Sequence, residues 1–180
     1  MLIDRNRSFL LTVDVQQRLL PVMADPESVL RNGAILLKAA ARLGVPVLAS
    51  EQYPRGLGPT VEPLAGLLPD GSILSKTAFS CAGDPALSER IAGLRRPQAV
   101  ICGIEAHVCV LQSALGLLAA GYGCFVVRDA ISSREVASIE AGMARMAQAG
   151  ILIVTTEMVL FEWLRDAATP EFKEVSTLIR

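Results

Sequence analysis

The sequence predicts an α/β fold: a single-domain, doubly wound (Rossmann-like) parallel sheet of about six strands with helices on both faces. Three times a helical stretch ends at a glycine and an apolar, β-branched run follows, at Gly44, Gly121 and Gly150. This alternation continues along the chain without a repeat, a low-complexity tract or a sign of a second domain. The 180 residues are therefore predicted to form one domain, 1–180, long enough to bury a full core.

The predicted strands are short apolar runs bounded by turn residues. They span residues 8–14, 45–49, 72–75, 98–102, 124–128 and 151–154. The first strand ends on the carboxylate of Asp14, and Pro46 lies at the start of the second, where a missing N–H is tolerated. The fourth breaks at Gly103 and turns into a helix that holds Cys109 near its start.

The predicted helices begin at capping residues and end at glycines or short breaks. They span residues 26–43, 85–94, 133–149 and 155–164, a stretch that holds Cys109 and runs to about 120, and a short turn after Thr169. Asp25 and Asp84 each precede a proline, which pairs an N-cap with a favourable first helical position. Residues 132–135 form a capping box for the helix 133–149. The Cys109 helix is apolar almost all round, so we expect it to be buried.

The composition argues against several classes of function. The formal net charge is −1 with scattered lysine and arginine, so no global field recruits nucleic acid or an anionic membrane. The apolar runs are interrupted well short of a membrane span, and the N-terminus carries no secretory signal pattern. Apolar residues make up 52% of the chain, which predicts a homo-oligomer that hides apolar surface between subunits.

The four cysteines are Cys81, Cys102, Cys109 and Cys124, and none belongs to a Cys-x-x-Cys pair. With one histidine in the chain a Cys/His zinc site is hard to assemble, so we expect no metal and no cofactor. Cys102 and Cys124 lie in apolar runs and fit small buried hydrophobic residues. This cysteine usage favours a reduced, cytoplasmic protein.

Chemically capable side chains follow the predicted strands at their carboxyl ends, which is where open α/β sheets bind ligands. They are Asp14, Glu51, Gln52, Lys76, Glu105, His107, Cys109 and Asp129. An acid, a lysine and a cysteine on neighbouring strand ends can act as base, charge stabiliser and nucleophile. A cysteine at a helix N-terminus also meets unpaired N–H groups and the positive end of the dipole, which favour the thiolate.

Five of these residues also have a plainer structural interpretation. Asp14 can cap the following turn, Lys76 can be a solvated surface charge, and Cys109 can be a packed core thiol. His107 lacks a second ligand and fits a cleft wall or a local hydrogen bond. Asp129 fits a cap on the turn into the next helix. The functional interpretation therefore depends on the combination of residues.

Five segments resemble known sequence blocks in order and rough spacing. They are residues 13–16, 50–58, 75–79, 103–114 and 129–134. Blocks 13–16, 75–79 and 103–114 resemble the signatures of the isochorismatase-like cysteine hydrolase superfamily. The other two are similar to its isochorismatase domain-containing branch, whose substrates are poorly defined. The resemblance runs from about Ser8 to the C-terminus.

The resemblance implies a catalytic triad of Asp14, Lys76 and Cys109. It also implies a cis peptide bond between Ile104 and Glu105, which turns the backbone N–H of Glu105 toward that of Cys109 to form an oxyanion hole. Asp14 would take the thiol proton while Lys76 stabilises the thiolate, and a thioester intermediate would be hydrolysed by water.

Departures from the family pattern bear on the substrate. Nicotinamidase-type members carry an Asp-x-His metal motif where this chain has Glu51-Gln-Tyr-Pro, so no metal is expected there. The resemblance implies that members which cleave isochorismate do not need the cysteine. The presence of Cys109 therefore favours amide, ureido or related acyl chemistry on a small molecule. The residues predicted to bind substrate are Gln16, Glu51, Gln52, Tyr53, Phe79 and His107. Of these, Tyr53 and Phe79 can equally be packing residues.

Other classes of function remain to be compared. A non-catalytic family member could act through oligomerisation or partner binding, for which the apolar helix 156–164 is suited. Fast alkylation of Cys109 at neutral or lower pH would favour the enzyme. A nucleotide or flavin binder is disfavoured because the chain lacks Gly-x-Gly-x-x-Gly and Gly-x-x-x-x-Gly-Lys motifs. A serine α/β-hydrolase is disfavoured because this chain lacks the Gly-x-Ser-x-Gly motif of that class.

Overall fold

The computed structural model describes residues 1–179. Its strands are β1 (Ser8–Val13), β2 (Val47–Gln52), β3 (Ile73–Lys76), β4 (Gln98–Ile104), β5 (Gly123–Ser132) and β6 (Leu152–Val154). They form a six-stranded sheet in the order β3-β2-β1-β4-β5-β6, and every neighbouring pair is parallel. The predicted doubly wound α/β fold class is confirmed.

Helices cover both faces of the sheet. They are α1 (Pro26–Leu43), α2 (Pro54–Leu57), α3 (Glu62–Ala65), α4 (Pro85–Gly93), α5 (Leu111–Ala119), α6 (Val136–Gln148), α7 (Thr156–Leu164) and α8 (Phe172–Thr177). Alternate β1 residues face opposite cores: Leu10 packs with α1, α7 and α8, whereas Phe9 and Leu11 pack with α4, α5 and α6. None of the helices in residues 1–179 is both long and apolar enough to cross a membrane.

The direction in which the strands are added to the sheet reverses between β1 and β4. These neighbouring strands lead to helices on opposite faces, since α1 packs in one core and α5 in the other. In open α/β sheets, the carboxyl ends of the strands at such a reversal are the usual place for a ligand. Asp14 directly follows β1, and Cys109 lies in the segment that follows β4.

Two predicted caps are confirmed. Asp25 accepts a hydrogen bond from the N–H of Ser28 at 2.9 Å, and Asp84 accepts one from Leu87 at 3.1 Å. Thr155, predicted as the first residue of the helix 155–164, instead caps α7 by accepting from the N–H of Met158 at 3.3 Å. These side chains satisfy backbone donors that the first turn of a helix leaves unpaired, so the starts of α1 and α4 were readable from sequence.

The predicted capping box at residues 132–135 is wrong. Ser132 is the last residue of β5, and its hydroxyl donates to the backbone oxygen of Ser133. The helix α6 begins at Val136, three residues later than predicted, and its N-cap Glu135 makes no side-chain cap. Pairing of Ser132 with Ile104 across β4 extends the strand and so takes the serine away from the helix.

The strand that leads to Cys109 also differs from the prediction. β4 does not break at Gly103 but runs through Ile104, with an irregular register against β5 between Ile101 and Gly103. Gly103 has φ +117, and a Cβ there would lie 2.1 Å from the backbone oxygen of Val13. Glycine is thus required because the ends of β1 and β4 approach too closely for any side chain.

The helix after β4 starts as a π-helical segment, Ala106–Val110, before α5. Its burial is less complete than predicted, because Gln112 is exposed and Leu115 and Leu118 are half-buried. β2 ends at Gln52 rather than at residue 49 as predicted, and α2 follows it closely. Pro46 precedes β2 rather than beginning it.

Candidate active site

A buried ion pair lies at the carboxyl edge of the sheet. The Lys76 ammonium is 2.7 Å from Asp14 Oδ2, and neither side chain has any exposed surface. Lys76 ends β3 and reaches across the end of β2 to Asp14, while its Nζ also donates to Gln52 Oε1 at 2.7 Å. Lys76 is therefore not a solvated surface charge.

Asp14 adopts a backbone conformation that is uncommon outside glycine. Its φ is +52, a region that aspartate and asparagine tolerate better than most residues. Its carboxylate does not cap the following turn: Oδ1 accepts from the Ser50 hydroxyl at 2.7 Å and Oδ2 accepts from Lys76. The backbone thus turns at Asp14 so that the carboxylate points into the interior between neighbouring strand ends.

Cys109 lies in the π-helical segment and is 5% exposed. Asp14 and Lys76 both influence the pKa of its thiol. Burial raises the pKa of the Cys109 thiol above its ordinary value, the Asp14 carboxylate raises it further, and the Lys76 ammonium lowers it. The net direction is upward, so the resting thiol is protonated. The expected preference for the thiolate at a helix N-terminus is outweighed by burial and the adjacent carboxylate.

Asp14→Asn is expected to accelerate alkylation of Cys109 by iodoacetamide. Removing the carboxylate lowers the pKa of the thiol, and each unit of that fall raises the thiolate fraction about tenfold at a pH below the pKa. The measurement is the alkylation rate of the Cys109 peptide by mass spectrometry at pH 8, with buried Cys124 in the same protein as the reference. Equal or slower alkylation in Asp14→Asn would contradict this electrostatic arrangement.

Glu105 has a backbone N–H with no hydrogen-bond acceptor among the described residues. The Ile104–Glu105 peptide bond is cis. Within residues 1–179, the N–H of Glu105 donates to no backbone or side-chain acceptor, whereas its carbonyl accepts from Val108 and Val110. Its carboxylate Oε2 accepts from both the backbone N–H and Nε of Arg134. These contacts hold the carbonyl and the carboxylate of Glu105 and do not involve its N–H.

The structure places three predicted substrate-binding residues in the framework of the site. Gln16 is fully buried, and its amide donates to the backbone oxygens of Gln52 and Gly58. The Glu51 carboxylate accepts from the N–H and hydroxyl of Thr60 at 2.6 and 2.8 Å. Gln52 uses its side-chain oxygen for Lys76 and its side-chain nitrogen for the Thr77 backbone oxygen. These polar atoms hold the loop after β2 in place.

The other three predicted substrate-binding residues lie nearer the surface. Tyr53 and Phe79 are 56% and 53% exposed, and Nδ1 of His107 is 2.9 Å from the Ser133 hydroxyl. A cavity of about 480 Å³ borders this edge; it is lined by Tyr53, Pro54, Arg55, Ser75, Lys76, Thr77 and Asp84. Tyr53 borders this cavity, whereas Phe79 is not among its lining residues.

Asp129 acts as a cap, but on a different helix from the one predicted. Its Oδ1 accepts from the N–H and hydroxyl of Thr156, at the start of α7.

Sequence reasoning missed Ser50 and Arg134, which contact Asp14 and Glu105 respectively. The signal for Ser50 was its place at the end of a strand adjacent to β1, which becomes visible once the strand order is known.

Comparison with known sequences gives a consistent family assignment. The family profile described as "Isochorismatase domain" matches residues 8–158. Isochorismatase domain-containing protein 2A of Mus musculus is 40% identical over 176 residues, which covers 96% of this chain and 82% of that protein. Isochorismatase domain-containing protein 2 of Homo sapiens is 40% identical over 178 residues, which covers 96% and 83%.

Solved structures share the fold over almost the whole chain. The MAR1 ribonuclease of Caenorhabditis elegans superimposes with a TM-score of 0.94 at 33% identity, covering 99% of this chain and 92% of that one. The YcaC gene product of Escherichia coli, described as an octameric hydrolase of unknown specificity, has a TM-score of 0.93 at 26% identity and covers 99% and 89%. The order and packing of the elements are therefore shared with these proteins.

Proposed function

We propose that this chain, which belongs to the isochorismatase family, is a cysteine hydrolase that cleaves a C–N bond in a small amide, ureido or related acyl compound. Asp14, Lys76 and Cys109 are its triad. The observation that carries the proposal is the fully buried Asp14–Lys76 pair beside the thiol. Buried ion pairs add little net stability, so a pair at the ligand-binding edge of the sheet is better explained by chemistry.

The proposed reaction begins with a neutral thiol. Asp14 accepts the Cys109 proton as the sulfur attacks the substrate carbonyl carbon and a C–S bond forms. The N–H groups of Glu105 and Cys109 hold the developing oxyanion, and the Lys76 ammonium balances the charge that remains in the buried site. Asp14 then gives the proton to the leaving nitrogen as the C–N bond breaks, which leaves a thioester on Cys109.

Hydrolysis of the thioester uses the same groups in reverse. Asp14 takes a proton from water, whose oxygen attacks the thioester carbonyl, and the two N–H groups again hold the oxyanion. The C–S bond breaks, the sulfur recovers its proton from Asp14, and the acid product leaves. The raised pKa of the Cys109 thiol fits this scheme, because a protonated resting thiol needs a general base during the attack.

The names of structural relatives suggest a second candidate substrate, which the experiment below also tests. Structural relatives carry the name MAR1 ribonuclease, so RNA is a second candidate substrate. The formal net charge of −1 gives this chain no general attraction for a polyanion, which favours the small acyl substrate.

We also propose that the chain assembles with copies of itself, as the octameric YcaC protein does, since Met158 and Phe161 on α7 are 45% and 44% exposed.

The test is covalent capture on Cys109. Wild-type protein is incubated with a panel of small amides, ureido acids and activated esters, quenched in acid and analysed by peptide mass spectrometry. We expect an acyl adduct on Cys109 together with release of amine, and no adduct on Cys124. A short RNA panel is run in parallel. RNA cleavage without any acyl adduct across the panel would replace the proposal with the ribonuclease interpretation.

A further inference from the structure

The carboxylate of Asp14 is held at both oxygens by different side chains. Oδ2 accepts from the Lys76 ammonium at 2.7 Å, and Oδ1 accepts from the hydroxyl of Ser50 at 2.7 Å. Ser50 is 1% exposed and Asp14 is fully buried, so this hydrogen bond is shielded from bulk solvent in the resting structure. Ser50 is therefore the second fixed contact of the group that serves as base.

The sheet itself places Ser50 at this position. In the parallel register of β1 and β2, Ser50 lies opposite Val13, and its backbone oxygen accepts from the N–H of Asp14 at 3.0 Å. Ser50 thus contacts Asp14 through both its main chain and its side chain. The main-chain contact survives any substitution, whereas the contact to Oδ1 depends on a hydroxyl at this residue.

The neighbour on the other side of Ser50 is a neutral thiol. Burial raises the pKa of the Cys81 thiol, and hydrogen bonds with Ser113 and Ser50 act against that rise. A protonated thiol offers no negative charge to compete for the Ser50 proton. The Ser50 hydroxyl is therefore directed to Asp14, the charged acceptor beside it.

We propose that Ser50 is a positioning residue for the catalytic base, which fixes the rotation of the Asp14 carboxylate so that it faces the Cys109 sulfur. This inference rests on the proposed function. Without the hydroxyl, the carboxylate is held only at Oδ2 and rotates toward Lys76, which in turn is held by Gln52. A small misplacement of a reacting group is costly because proton transfer depends on its geometry.

The test compares residues of matched shape at this position. Valine and threonine have nearly the same shape, but only threonine keeps a hydroxyl, so Ser50→Val and Ser50→Thr form a matched pair. Ser50→Ala removes the hydroxyl without adding volume. The measurement is hydrolysis of the best substrate of the acyl panel. We expect kcat to fall about 10- to 100-fold in Ser50→Ala and Ser50→Val with KM unchanged, and Ser50→Thr to keep most of the wild-type kcat. Ser8→Ala is the control, because its buried hydroxyl on β1 also makes one hydrogen bond, to Trp163, far from the site.

A second measurement does not require the enzyme to turn over. The Asp14 carboxylate raises the pKa of the Cys109 thiol, so a carboxylate that rotates away from the sulfur lowers that pKa. Alkylation of Cys109 by iodoacetamide is then expected to be several-fold faster in Ser50→Ala and Ser50→Val than in wild type or Ser50→Thr. Ser8→Ala is expected to match the wild type in both measurements.

The outcomes separate this inference from the proposed function. Unchanged kcat and unchanged alkylation in Ser50→Ala overturn the positioning role, as does an equal loss in the threonine and valine variants. If the wild type forms no acyl adduct but the alkylation rates differ as expected, the proposed function fails while the contact from Ser50 to Asp14 stands.

Discussion

Cys109→Ala is expected to abolish hydrolysis of the best substrate of the acyl panel, with a loss in kcat/KM of about 10³-fold or more. The sulfur forms the covalent bond in the proposed scheme, and no other group in the site can replace it. Cys109→Ser is expected to be nearly as inactive, because a buried hydroxyl is a much weaker acid than a thiol and Asp14 cannot activate it comparably. The measurement is amine release from the best substrate of the acyl panel.

The fold should survive this change, because alanine removes a single sulfur from a packed position. Thermal melting of Cys109→Ala should stay within a few degrees of the wild type. Cys124→Ala is the matched control: it removes an equally buried thiol from β5 and should retain full activity. Undiminished turnover in Cys109→Ala would reject covalent catalysis at this residue.

Lys76→Met is expected to lower the free energy of unfolding by about 3–5 kcal/mol. The substitution leaves the Asp14 carboxylate buried with only the Ser50 hydroxyl on its other oxygen. An uncompensated charge in a site without solvent is far more costly than the intact pair. Urea denaturation of the wild type and the variant gives the difference directly.

The double variant Asp14→Asn/Lys76→Met is expected to recover most of that loss. Asparagine suits the positive φ at Asp14 and removes the charge, so the pair becomes neutral without a change in backbone. Both variants should be inactive, which separates stability from catalysis. A Lys76→Met protein as stable as the wild type would mean that the carboxylate does not depend on its partner for stability.

Local sequence signals predicted most of the fold. The apolar runs of β1 and β4 and the caps at Asp25 and Asp84 involve neighbours within a few residues, so their local pattern is sufficient. The prediction was wrong where a distant strand competes for the same residues. The local sequence around Ser132 predicts a helix cap, but in the fold Ser132 pairs with Ile104 of β4 and becomes the last residue of β5.

The candidate site was predicted in part. Asp14, Lys76 and Cys109 were singled out because they follow strands whose carboxyl ends meet, and the structure brings the first two into direct contact. Their catalytic roles stay predictions. The direction of the Cys109 pKa could not be read from sequence, because it depends on burial and on a carboxylate 95 positions away in the chain. Ser50 required the register of β1 and β2.

The close approach at Gly103 limits which residues can be exchanged near the candidate site. The backbone of Gly103 meets the backbone of Val13 there, so the spacing between the ends of β1 and β4, which lead to the proposed base Asp14 and the proposed nucleophile Cys109, cannot be adjusted by exchanging side chains. New substrate preferences must therefore arise at the rim, in the turns that begin at Tyr53 and Ser133. Engineering for altered selectivity should randomise those turns and leave Val13 and Gly103, whose backbones are in contact, unchanged.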